Sequence, residues 1–119
     1  MSNEAQQILS GIKVIELAAW TFVPTAGAVL ADWGADVIKI EHPETGDPQR
    51  GLINSGMVTG AGGVNHFIEQ PNRGKRSAAV DVSHPDGLEL LLKMVETADV
   101  FITNPVSYTH LTLPTNREV

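Results

Sequence analysis

The run Asn72, Arg73, Gly74, Lys75, Arg76, Ser77 concentrates three cations in four positions of an otherwise acidic chain, directly ahead of a strand-like segment. Fixed cations beside a flexible glycine suit contact with phosphate, and arginine can make such contacts bidentate. A solvated basic turn is the plainer reading of the same residues. Glu41 and Asp47 offer two carboxylates a few positions apart, but nothing in the spacing fixes their separation, and both could simply face water. His42 follows a strand-like run, where a lone histidine is more often a hydrogen-bonding or surface residue than an acid or base. His66, His84 and His110 do not share a metal-ligand spacing with nearby carboxylates, and no metal is expected. Trp20 and Phe22 could stack on a base or line an acyl channel, or at least one could serve burial. No Ser-His-Asp arrangement has support. With no cysteine in the chain, thiol nucleophiles, thiolate metal sites and disulfides are all excluded.

These residues need elements to position them. Residues 12–18 (IKVIELA) mix β-branched and aliphatic side chains with charge after Gly11, as a strand entering a buried sheet does. From Pro24 the period changes, with Ala26, Val29, Leu30 and Trp33 at helical spacing, Pro24 in a first turn and Gly34 as a C-terminal stop. Residues 35–41 (ADVIKIE) are again strand-like, so strand, helix and strand have the length of a βαβ crossover. Residues 42–76 hold much of the glycine and proline and no sustained period. They read as a long loop with one short helix, and loops of that length in a compact domain are usually functional or mobile. Residues 77–82 (SAAVDV) form a third strand. Ser83 is the expected N-cap of the next helix, with Pro85 and Asp86 in its first turn and Leu88, Leu91, Leu92 and Val95 as its apolar stripe. Residues 99–104 (DVFITN) make a fourth strand.

The resulting fold class is α/β: a Rossmann-like parallel sheet with flanking helices, truncated after the fourth strand. Residues 1–10 read as a flexible lead without the features of a signal peptide, and 106–119 (VSYTHLTLPTNREV) as a foreign or disordered tail. In such sheets ligands sit at the carboxyl ends of the strands, and the helix beginning near Pro24 presents a positive end that suits phosphate. Neither GxGxxG after the first strand nor GxxxxGK[ST] occurs, which disfavours dinucleotide and P-loop readings.

The 119 residues, with a net charge of -6 and 42% hydrophobic residues, bound the chain to one domain or part of one. The acidic balance disfavours nucleic acid and anionic lipid as partners. No apolar run approaches the roughly 20 residues that cross a bilayer, and a cytoplasmic location is expected.

Taken in order, GIKVIELA, Pro24 with Gly27, LADWGADVIKIEHPETGDPQR, NRGKRSAAVDV and ADVFITN resemble the amino-terminal region of the class III CoA-transferases, a family that includes 2-methylacyl-CoA racemases. The resemblance covers about residues 11–105 and implies a Rossmann-like domain of a longer polypeptide, two copies of which interlock as a homodimer. Carried over residue by residue, it implies CoA-facing positions at Thr21, Phe22, His42, Val80, Ser83 and Asn104. His42 stands where family members often have arginine on the nucleotide phosphate, so it would be a weaker, pH-dependent partner. With the basic turn, the expected CoA-binding set is Thr21, Phe22, His42, Arg73, Lys75, Arg76, Val80, Ser83 and Asn104.

The implied chemistry is transfer of CoA from an acyl-CoA to a carboxylic acid. An aspartate attacks the thioester to form a mixed anhydride, and CoA is returned to the acceptor. Asp32, Asp36, Asp47, Asp81, Asp86 and Asp99 do not match that aspartate, which the resemblance places further downstream. The fragment alone is therefore expected to be inactive. A 2-methylacyl-CoA racemase fragment and a non-catalytic CoA- or nucleotide-binding module are the alternatives.

Overall fold

The computed structural model describes residues 7–56 and 63–104. The expected tail at 106–119 and His110 lie outside them. Four strands, β1 (Lys13–Leu17), β2 (Asp36–Glu41), β3 (Arg76–Ala79) and β4 (Val100–Thr103), form one sheet in the order β3-β2-β1-β4. Every pairing is parallel. The chain lays β2 and β3 to one side of β1 and then crosses back to place β4 on the other. The crevice between β1 and β4 is thus where strand order reverses.

Side chains alternate across the sheet, so each face has its own filling. Ile15, Ile40, Val80 and Leu91 form one apolar cluster, with Leu17, Ile38, Leu88 and Val95 packed around it. This face is covered by α4 (Pro85–Glu96), which packs Leu88, Leu91 and Val95, three of the four residues of the predicted stripe, into this cluster together with Met94. Val14, Ala35 and Val37 cluster on the opposite face with Leu30 and Ala31 of α1 (Phe22–Asp32).

Helix α1 differs from its sequence reading. It starts two residues earlier, at Phe22 with Thr21 as N-cap, and buries Pro24, Gly27 and Ala28. Ala26 is exposed and Trp33 is half-exposed. The periodicity of large apolar residues misplaced the buried face because α1 lies against polar side chains that need room. A Cβ on Gly27 would fall 1.9 Å from Glu16 Oε1. Glycine there permits a backbone approach that any other residue would block.

Between β2 and β3 the chain is more ordered than one short helix implies. A 3₁₀ turn at Pro48–Arg50 runs into α2 (Gly51–Asn54), and α3 (His66–Glu69) runs into a second turn at Gln70–Asn72. Part of the expected flexible lead is also packed. Leu9 joins the α1-side cluster, and its N–H donates to Trp33 O at 2.9 Å.

Candidate functional site

A cavity of about 460 Å³ opens at the carboxyl ends of β1, β2 and β3, on the α4 side of the sheet. Its size is that of a small-molecule site. Leu17, Ile40, Val80, Val82 and Leu88 supply an apolar floor, while His42, Gly46, Asp47, Asp81 and Ser83 form the polar rim. The rim is built by local hydrogen bonding. Asp81 Oδ1 accepts from Ser83 N at 3.0 Å and from Ser83 Oγ at 2.5 Å, which holds the Asp81 carboxyl below its ordinary range. His42 Nδ1 accepts from Glu44 N at 3.1 Å. In the neutral ring the proton is therefore on Nε2, which faces Asp81 Oδ2 at 3.6 Å.

The start of α4 closes the rim. His84, not Ser83, is its N-cap, with Nδ1 accepting from Asp86 N at 3.1 Å. Ser83 is unavailable for that role because its hydroxyl and amide are both turned to Asp81. Gly87 lets the first turn press on the end of β3, since a Cβ there would lie 1.9 Å from Asp81 O.

Three of the nine expected CoA-binding residues, His42, Val80 and Ser83, line this cavity. Thr21 and Phe22 stand at the same edge but outside it. Thr21 Oγ1 accepts from Gln49 Nε2 at 3.1 Å, and Phe22 is 90% exposed. Asn104 sits at the crevice between β1 and β4 with its amide engaged on both sides. Its Oδ1 accepts from Ala19 N at 3.1 Å, and its Nδ2 donates to Ala19 O at 2.8 Å. It thereby fixes the turn after β1.

The basic turn is not assembled as expected, because every cation in it already has a carboxylate. Arg73 pairs with Asp32 at 2.7 Å. Arg76 makes a two-pronged contact with Asp36 at 2.6 and 2.9 Å. That pair lies where β2 and β3 begin, the end of the sheet opposite the cavity. Lys75 is buried, donating to Glu16 Oε2, Pro24 O and Asn72 Oδ1 at 2.8 to 2.9 Å. A cation so fully paired is not free to hold a phosphate.

What residue-by-residue reading missed is the destination of Lys75: a buried charge cluster of Glu16, Lys39, Asp47 and Lys75 beneath the rim. Glu16 and Lys39 are register partners on adjacent strands, on the face covered by α1. Lys39 Nζ lies 3.3 Å from Glu16 Oε2, 3.0 Å from Asp47 Oδ2 and 3.0 Å from Ala18 O. Burial pushes the Glu16 carboxyl up and the Lys75 ammonium down, each partly opposed by the other's charge. The signal available in sequence was a charge in the middle of each of two apolar strands. Glu41 is not paired with Asp47 as a second carboxylate of a catalytic couple. It takes Arg50 in a two-pronged contact at 2.7 and 2.8 Å and accepts from Asp47 N at 2.8 Å. That arrangement holds its carboxyl below the ordinary value of 4.5. Among the described residues no group of three or more His, Asp or Glu side chains could hold a metal ion.

The model of CoA-transferase family III matches residues 9–111. The chain belongs to CoA-transferase family III. It is 48% identical over 99 residues to a succinate–glutarate CoA-transferase of Agrobacterium fabrum, covering 81% of this chain and 24% of that protein. It is 40% identical over 103 residues to a 2-methylfumaryl-CoA isomerase of Chloroflexus aurantiacus, covering 82% of this chain and 24% of the isomerase. The crystal structure of a CaiB/BaiF family protein from Brucella suis superposes with a TM-score of 0.69 at 39% identity, over 83% of this chain and 26% of that one. The chain thus spans about a quarter of the length of the relatives it matches. Family III membership accords with the α/β architecture.

Proposed function

We propose that this family III chain contributes part of the CoA pocket of an enzyme that moves CoA between an acyl-CoA and a carboxylic acid. The observation that carries the reading is the coincidence of the cavity with the edge at which such sheets take ligands, with His42, Val80 and Ser83 on its wall. The apolar floor suits the pantetheine arm or acyl chain. His42, protonated, would meet a phosphate, but only against the competing charge of Asp81 3.6 Å away. Thr21, Phe22 and Asn104 would shape the neighbouring crevice. The Arg73, Lys75 and Arg76 side chains belong to internal ion pairs in this reading and not to the CoA contact.

The nucleophilic aspartate is proposed to come from sequence outside these residues. Asp32, Asp36 and Asp47 are each engaged by a cation, and Asp86 and Asp99 stand away from the cavity wall. Asp81 lines the cavity, but two hydrogen bonds from Ser83 hold it. The proposed whole enzyme is a homodimer working in the cytoplasm. A second reading, an isomerase or racemase acting on a branched acyl-CoA, is favoured by the 40% identity to the 2-methylfumaryl-CoA isomerase.

Calorimetric titration with CoA and with succinyl-CoA tests the pocket. Saturable binding that weakens in His42→Asp supports it. Absence of binding into the millimolar range, or equal affinity in His42→Asp, would overturn it. Assaying a full-length protein that carries this segment, for CoA exchange between succinyl-CoA and glutarate against isomerisation of 2-methylfumaryl-CoA, separates the two readings.

A further inference from the structure

Asp47 is a buried carboxylate on the cavity wall, and its bonds run to both of the loops that frame the opening. Its Oδ1 accepts from Trp20 N at 3.1 Å, in the turn after β1, and from Gln49 N at 2.9 Å, in the loop after β2. Its Oδ2 lies 3.0 Å from Lys39 Nζ, which also holds Ala18 O at the end of β1. Its own N–H donates to Glu41 Oε2 at 2.8 Å. Trp20 meanwhile has φ +71°, the single non-glycine residue with positive φ among the described residues. A bulky side chain in the left-handed region is strained and persists only where its surroundings fix it. The indole does not explain the strain, since Trp20 is half-exposed. Its backbone is held from two sides, by the bond from its own N–H to the buried Asp47 carboxylate and by the Asn104 amide on the preceding Ala19.

We propose that Asp47 is a positioning residue for the carboxyl-edge cavity: it fastens the turn after β1, at Trp20, to the loop after β2 and so sets the shape of the mouth. Lys39, 3.0 Å from Oδ2, keeps Asp47 aimed, and Gly46, with φ +64°, gives the loop the bend that delivers it. Only the ligand measurement below rests on the cavity being a CoA site.

The chain has two tryptophans, so 5-fluorotryptophan labelling gives one resonance at the site and one at Trp33, at the far end of α1. In Asp47→Ala the Trp20 resonance moves and its amide loses at least about tenfold of its hydrogen-exchange protection, while the Trp33 resonance stays in place. Asp47→Asn keeps an acceptor oxygen for Trp20 N and retains most of that protection. An unchanged Trp20 resonance and amide in folded Asp47→Ala would overturn the proposal.

Should Asp47→Ala not fold, Trp20→Gly and Trp20→Ala decide the matter, because both remove the indole and differ only in Cβ. With the left-handed turn imposed, the glycine variant melts about 4–8 °C above the alanine variant. The opposite order, usual at ordinary backbone angles, would overturn the proposal. In the ligand measurement, CoA affinity falls about tenfold in Asp47→Ala and less in Asp47→Asn. If CoA fails to bind the unsubstituted chain, the CoA reading fails alone, and Asp47 is judged on the exchange and fluorine results.

Discussion

The two faces of the sheet are filled by different physics. Under α4, Ile15, Ile40, Val80 and Leu91 exclude water by apolar contact, which is non-directional and tolerates exchange of one aliphatic side chain for another. Under α1, Glu16, Lys39, Asp47 and Lys75 are buried as charges, and each demands a partner at a fixed place. The apolar face supplies cohesion. The charged face supplies geometry, because displacing any one member leaves the others desolvated without compensation. It is also the face whose cluster reaches the cavity rim, through Asp47.

This contrast can be broken most sharply at Glu16. Replacing it with Ala leaves the Lys39 and Lys75 ammonium groups buried with half their balancing charge, and a loss of about 3–5 kcal/mol is expected from urea unfolding. A loss under about 1 kcal/mol would mean that the cluster is wetter than its burial indicates. On the other face, Leu91→Ala is expected to cost about 3 kcal/mol, and Leu91→Met under about 1.5 kcal/mol. Equal sensitivity to the Met substitution and to Glu16→Gln would erase the distinction between the faces.

Gly27→Ala is expected to cost about 2 kcal/mol, because its methyl would displace a Glu16 carboxylate that Lys75 holds in place. If the same substitution costs nothing in a Glu16→Ala background, the coupling between helix and cluster is confirmed. The smallest effect concerns Glu41. Its folded pKa is lowered, so its pairing with Arg50 stabilises the chain above pH 4.5 and that contribution is lost as pH falls through the folded value. Acid titration of stability should therefore fall less steeply below pH 4.5 in Glu41→Gln than in the unsubstituted chain. The same slope in both would assign the acid sensitivity elsewhere.

The α4 side was legible because Leu88, Leu91 and Val95 recur at helical spacing and the strand patterns are unbroken. The α1 side was misread at the same level. Its fully buried residues, Pro24, Gly27 and Ala28, are small, so the helical stripe of Ala26, Val29, Leu30 and Trp33 includes Leu30, which packs on the sheet, but also Ala26 and Trp33, which face outward. The carboxyl-edge location and the roles of His42, Val80 and Ser83 as wall residues came from strand order and from resemblance together. The ion pairing of the basic turn was out of reach for a reason general to charge clusters: composition counts cations, whereas their partners, such as Asp32 and Asp36, stand more than 30 positions away. The role of Asp47 was equally out of reach, since a carboxylate after Thr45 and Gly46 looks like an ordinary turn residue.

By itself the sequence determined the alternation of strands and helices, the all-parallel arrangement and the family, because period and motif are local properties carried by neighbouring residues. Only the tertiary structure decided which charges are spent internally and which face the cavity. Coulombic and hydrogen-bonded partners are set by proximity in space, and here Lys75 reaches Glu16 across 59 positions of chain.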